Sequence, residues 1–155
     1  MKTRNRMIFE SINEIEEDPD KFNSYYTKLY EVCNDLPYDF RSRLRYLREC
    51  MGYTREKLEE KSNISVQTIK QIEINSNRGY TVSTILALCI GMNLPPELSF
   101  ELMRKSDYNI ETSSSICNCV YCYVLRNMYD LSINDVNNFL NNIGIEPLTG
   151  DNLRK

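Results

Sequence analysis

The chain has 155 residues, a hydrophobic fraction of 41% and a formal net charge of −3. That length suits one domain with elaborations, or a domain with a small companion, and no segment is apolar over enough residues to span a bilayer. With no His in the chain and no Gly-rich phosphate loop, the sequence offers little to an enzyme, and no cofactor is expected.

In chain order, every strongly periodic segment reads as helix. Ile8, Ile12 and Ile15 recur at helical spacing, and Asp18-Pro19 then supplies an N-cap with Pro at the first helical position. Phe22, Tyr25, Tyr26, Leu29, Tyr30 and Cys33 form the stripe of a second helix, which Leu36-Pro37 interrupts. Asp39 caps a third, Phe40–Met51, with Phe40, Leu44, Leu47 and Met51 on one face and Arg41, Arg45 and Arg48 on another. Two short helices follow within 52–73. Thr81 or Ser83 then caps the very apolar Ile85–Ile90, ended by Gly91. An all-apolar helix of this kind is the central post of a small helical domain. Pro95-Pro96 starts a helix through Leu98, Leu102 and Met103, and Asp107–Ser115 reads as a linker. Ile116–Tyr129 is an apolar, aromatic helix with Val120, Tyr123, Val124 and Met128 as core contacts. Ser132-Ile133-Asn134-Asp135 resembles a capping box and opens a last helix, carrying Val136, Phe139, Leu140 and Ile143 and closed by Gly144. The tail Ile145–Lys155 is expected to fray. No alternating run supports a sheet, so the fold class is all-α.

The segment Gly52–Glu73 carries the most information. Thr54 and Ser65 can each cap a short helix, and Asn63 falls where the chain must reverse, a place where Asn tolerates the left-handed conformation. Leu58, Ile64, Ile69 and Ile72 point inward, while Gln67, Lys70 and Gln71 form a polar outer face on the second helix. A stiff helix with such a face, supported by another helix, suits the major groove of DNA.

Residues 41–105 resemble the DNA-binding domain of the Xre/Cro/lambda-repressor-like helix-turn-helix family. The matching residues are Leu47-Arg48, Gly52, Thr54 and Leu58, then Ile64, Ser65, Thr68, Ile69, Ile72 and Glu73. Thr84–Cys89 resembles the family's fourth helix, and Leu94–Phe100 the entry to its fifth. The resemblance implies a lambda-repressor-like five-helix domain at 39–106. It is flanked by an N-terminal helical extension (1–38), a linker (107–115) and a C-terminal helical extension (116–155). Three departures stand out. Arg55 replaces the family's Gln, Glu59 replaces a small Ala where the two helices approach, and Asn63 replaces the turn Gly. A carboxylate at a close helix contact needs a partner or a path to water. The loop Ile74–Tyr80 is also about one residue longer than usual and lacks a Pro.

Net charge alone argues against nucleic acid, but its distribution does not. Residues 39–78 hold nine Lys or Arg against six Asp or Glu, whereas each flank holds five against eight. Phosphate neutralisation is local, so the polarity is compatible with DNA. On the second helix Gln67 can pair with adenine, Lys70 can donate to guanine, Val66 can meet a thymine methyl, and Gln71 shares their face. Thr54, Arg55, Ser65, Thr68, Asn75, Asn77 and Arg78 are the expected phosphate contacts, on helix N-termini and the following loop. Arg41, Arg43 and Arg45 read better as solubilising surface. The run Cys117-Asn118-Cys119-Val120-Tyr121-Cys122 lacks a second Cys pair or a His, and reads as thiols in a Tyr-rich helix rather than a metal site.

The expected function is a sequence-specific, DNA-binding transcriptional regulator, not an enzyme. Its partners would be double-stranded DNA and a second copy of itself, with no membrane. Six cysteines, and no apolar run after the basic Met1–Met7, fit reduced thiols and a cytoplasmic setting. The alternative is an interaction or antitoxin-like module that keeps the fold, binds DNA weakly or not at all, and takes a protein partner through its helical extensions. The Tyr-rich flanks serve equally as interface or as core cover.

Overall fold

The computed structural model describes residues 18–111 and 115–150. The expected helix around Ile8, Ile12 and Ile15 lies outside the described residues. Within them the chain forms eight α-helices and no strand.

Seven of the eight helices start where a side chain satisfies their unpaired first-turn amides. α1 (Pro19–Asn34) follows Asp18, whose Oδ1 accepts from Asp20 N at 3.0 Å. α2 (Phe40–Cys50) is capped by Asp39, α3 (Arg55–Ser62) by Thr54 and α4 (Val66–Ile74) by Ser65. Thr81, not Ser83, caps α5 (Val82–Gly91). α6 (Pro96–Met103) begins on a proline, α7 (Ile116–Asn127) is capped by Ser115, and α8 (Ile133–Asn142) by Ser132.

The Asp39 cap has a pH signature. Hydrogen bonds from Ser42 hold its carboxyl below the ordinary carboxylate range. A depressed folded pKa means the stabilisation is present above the unfolded value, about 3.9, and is lost as pH falls through the folded one. Asp39→Ala is expected to cost about 1 kcal/mol at neutral pH. Urea titrations should show the gap to the wild type closing in acid, and a pH-independent gap would rule this origin out.

α5 is the central post. Every residue from Ile85 to Gly91 is buried, and α3, α7 and α8 all pack against it. Gly91 does not end the helix as a left-handed cap. It is the last helical residue, and the reversal falls to Asn93 at φ 51°. Its function is steric: a Cβ on Gly91 would lie 2.7 Å from Ser62 Cβ and 3.0 Å from Ser62 Cα, so it sets the α3–α5 approach. Gly144, at φ 78°, does close α8 as expected.

The flanks share this core. Tyr25, Leu29 and Val32 of α1, and Tyr121, Val124, Leu125, Val136 and Leu140 of α7 and α8, lie in one apolar cluster with Leu58, Ile69 and Ile72. The buried stripe of α1 is Tyr25, Leu29 and Val32, and three of the expected aromatics face outward: Phe22, Tyr26 and Tyr30 are 45%, 37% and 67% exposed. Tyr123, expected in the core, is exposed as well. Residues 107–111 of the expected linker are tied down. Tyr108 Oη donates to Tyr80 O at 2.8 Å, Asp107 N donates to Tyr80 Oη at 3.2 Å, and Ile110 is buried. The tail does not fray at residue 145. Buried Asn137 accepts from Leu148 N at 2.8 Å and donates to Thr149 Oγ1 at 2.9 Å, anchoring the chain through Thr149.

Candidate nucleic-acid interface

The two helices of the motif are set by local chemistry on either side of one tight turn. Thr54 Oγ1 accepts from Lys57 N at 3.0 Å to start α3. Asn63 closes α3 in the left-handed region at φ 62°. Buried Ser62 braces the turn, donating to Leu58 O at 2.6 Å and accepting from Ile64 N at 3.2 Å. Ser65 Oγ accepts from Thr68 N at 3.1 Å and starts α4, while its hydroxyl also meets Thr68 Oγ1 at 2.9 Å. Leu58, Ile69 and Ile72 are buried and Ile64 is half-buried, as their spacing requires.

The outer face of α4 is polar. Gln67 and Lys70 are exposed, and Val66, Thr68 and Gln71 are half-buried. Asn75 Nδ2 donates to Gln71 Oε1 at 3.2 Å, which orients that amide. α4 packs on α2 and α3, whereas α7 and α8 pack on α5 and α6. Lys70 and Arg78 make no ion pair among the described residues, so positive charge remains beside the polar face and on the loop that follows it.

Beneath that face lies a charged base. Glu73, with a fully buried side chain, accepts from Arg48 Nε at 2.7 Å and Arg48 Nη2 at 3.0 Å. It also accepts from Arg55 Nη2 at 3.0 Å, and Arg48 Nη1 donates to Tyr53 O at 2.9 Å. One carboxylate thus joins the ends of α2 and α4 to the start of α3, with two guanidiniums on it and one positive charge in excess. Arg48 therefore does not share a surface with Arg41 and Arg45. Arg55, an expected phosphate contact, is held by Glu73 but keeps its guanidinium partly exposed, at 27%.

Arg41 and Arg43 are clamps, not solubilising surface. Arg41 donates to Ile72 O at 2.6 Å, Arg78 O at 2.8 Å and Ser76 O at 3.2 Å, fixing the end of α4 and its loop. Arg43 donates to Pro37 O at 2.6 Å and Glu101 O at 2.7 Å. Arg45 stays on the surface, paired with Glu49 at 3.0 Å. In the loop, Asn75 Oδ1 accepts from Asn77 N at 3.0 Å in an Asx turn, and Asn75, Asn77 and Arg78 are exposed. Glu59 resolves its awkward position by turning outward: it is exposed, and its Oε2 accepts from Val66 N at 2.7 Å.

The sequence reading missed the clamping by Arg41 and Arg43, the Arg48–Glu73 pair and the reach of Glu59. A signal existed for Arg48, which stands one turn from Leu44 on an apolar stripe, where a charge needs a partner. The cysteines do not converge. Cys119 is exposed and Cys122 is buried against Ile110 O. Burial pushes the Cys122 thiol up and the Cys89 thiol to about 12, away from the thiolate a metal would need. Among the described residues no group of three or more His, Cys, Asp or Glu is placed to hold a metal ion.

Two capped helices at a left-handed turn, an outward polar face and a buried ionic base define a helix-turn-helix unit. Residues 44–98 match the family model described as helix-turn-helix, and this segment is a domain of the Xre/lambda-repressor-like kind, a family of DNA-binding domains. The flanking helices lie outside the match. No curated protein and no solved structure matches the chain. Among the described residues no helix is long and apolar enough to cross a membrane.

Proposed function

We propose that the protein is a sequence-specific, DNA-binding transcriptional regulator that places α4 in the major groove. The observation that carries this is the uncovered face of Gln67 and Lys70 on a helix fixed from below by Arg48, Arg55 and Glu73. Preset geometry matters because base contacts discriminate only when donors and acceptors arrive in register. Gln67, Lys70, Gln71 and Val66 would meet base edges. Thr54, Arg55, Ser65, Thr68, Asn75, Asn77 and Arg78 would border the phosphates, with Arg78 the freest cation for that purpose. A homodimer would set two copies of α4 about 34 Å apart on a near-palindromic site. A cytoplasmic setting fits this role.

Gln67→Ala should weaken binding to a selected operator by about 1–3 kcal/mol, concentrated at one base pair, without changing stability. Affinity should also fall steeply with salt. Titration of wild type and variant against the operator selected from random fragments checks both, and equal affinities would remove Gln67 from the readout.

A second reading has one observation in its favour: Phe22, Tyr26 and Tyr30 stand exposed along α1, as interface aromatics do. On that reading the helical extensions take a protein partner and DNA binding is weak. Absence of DNA binding at low salt, together with a tight partner recovered in a pull-down, would select it.

A further inference from the structure

Most acidic side chains around the motif are matched to cations, but Glu56 and Glu59 make no ion pair among the described residues. Arg45 pairs with Glu49, Lys57 with Glu60 at 3.2 Å, and two arginines with Glu73. Glu59 is set apart from Glu56 by its reach across the turn. It is exposed, and its bond partner is the backbone amide of Val66, at 2.7 Å. Reaching across the turn from α3, it therefore places an uncompensated carboxylate at the head of α4, beside Gln67.

We propose that Glu59 is a built-in brake on DNA binding, a resident anion at the leading edge of the recognition helix. The inference rests on the reading of α4 as that helix. Two effects of Glu59 act in the same direction. Its oxygen takes the Val66 N–H, a donor that an incoming phosphate oxygen would use. Its charge stands within a Debye length, about 8 Å at physiological salt, of any backbone that α4 approaches. The Thr68 amide is likewise spent, on Ser65 Oγ. Glu60, one residue away, differs in that Lys57 neutralises it. The brake sets a low intrinsic affinity, so that stable occupancy depends on two motifs binding together.

The test separates charge from capping. Glu59→Gln keeps a side-chain oxygen for Val66 N and removes the charge, and a melting curve checks that it folds like the wild type. Wild type, Glu59→Gln and Glu60→Gln are titrated with a short mixed-sequence duplex across a salt series. Glu59→Gln should bind roughly 5-fold tighter at low salt, with the gain shrinking as salt screens it, and Glu60→Gln should gain clearly less. If the wild type binds and Glu59→Gln binds no tighter, or if Glu60→Gln gains as much, the brake is overturned while the DNA-binding reading stands. If none of the three binds even at low salt, the DNA-binding reading fails and the brake with it.

Discussion

Glu73→Ala is expected to destabilise the protein by about 3–5 kcal/mol, enough to unfold much of a marginally stable domain. The reason is the charge left behind. The Arg48 side chain is 8% exposed, and three of its hydrogen bonds are accounted for by Glu73 and Tyr53 O. Without the carboxylate, a guanidinium stays in a largely dry site with one carbonyl for company. Arg55, more exposed, can swing to water. The cost should therefore fall mainly on Arg48, and Glu73→Ala combined with Arg48→Met should recover part of the loss, because Met removes the stranded charge while the cavity left by Glu73 remains. Denaturant unfolding of the two variants measures this. A loss under about 1 kcal/mol for Glu73→Ala would mean that water reaches Arg48 freely.

Gly91→Ala should cost about 1–3 kcal/mol, at the upper end of that range, although Gly→Ala inside a helix ordinarily helps. The new methyl would lie 2.7 Å from Ser62 Cβ and 3.0 Å from Ser62 N and Cα. None of these atoms can move by changing a rotamer, so α3 must back away from α5 as a unit. That displaces the support of α4, so operator affinity should drop alongside stability. Gly79→Ala is the control, since nothing lies within 4 Å of a Cβ there. Thermal melts of both variants decide the matter, and equal melting temperatures would show that the α3–α5 contact has slack.

Much of the fold was legible because capping is local. Asp18, Asp39, Thr54, Ser65 and Ser132 each stand within three residues of the amide they satisfy. Asn63 was legible for the same reason, since its left-handed conformation is a property of the residue and the turn. Tertiary pairings were not legible. Arg48 and Glu73 are 25 residues apart, Arg41 reaches 31 residues to Ile72 O, and Asn137 finds its partners only after the chain turns back at Gly144. The stripe of α1 was legible only in part: Tyr25 and Leu29 are buried as expected, yet the buried face runs on to Val32 and leaves Phe22, Tyr26 and Tyr30 outward. At the candidate site the outward set around Gln67 and Lys70 was readable from periodicity. The engagement of Arg55 and Glu59 was not, because both depend on the angle between α3 and α4.

The shared apolar cluster has a consequence for communication through the molecule. Val124, Leu125, Val136 and Leu140 belong to the same buried set as Leu58, Ile69 and Ile72. The C-terminal helices and the helix-turn-helix motif are therefore one cooperative body and not a motif bolted to a tail. Whatever levers α8 away from α5, a ligand or a lesion, draws on the free energy that holds α4 at its angle. A signal arriving at the C-terminal helices would need no hinge or relay to reach α4, because loosening one loosens the other.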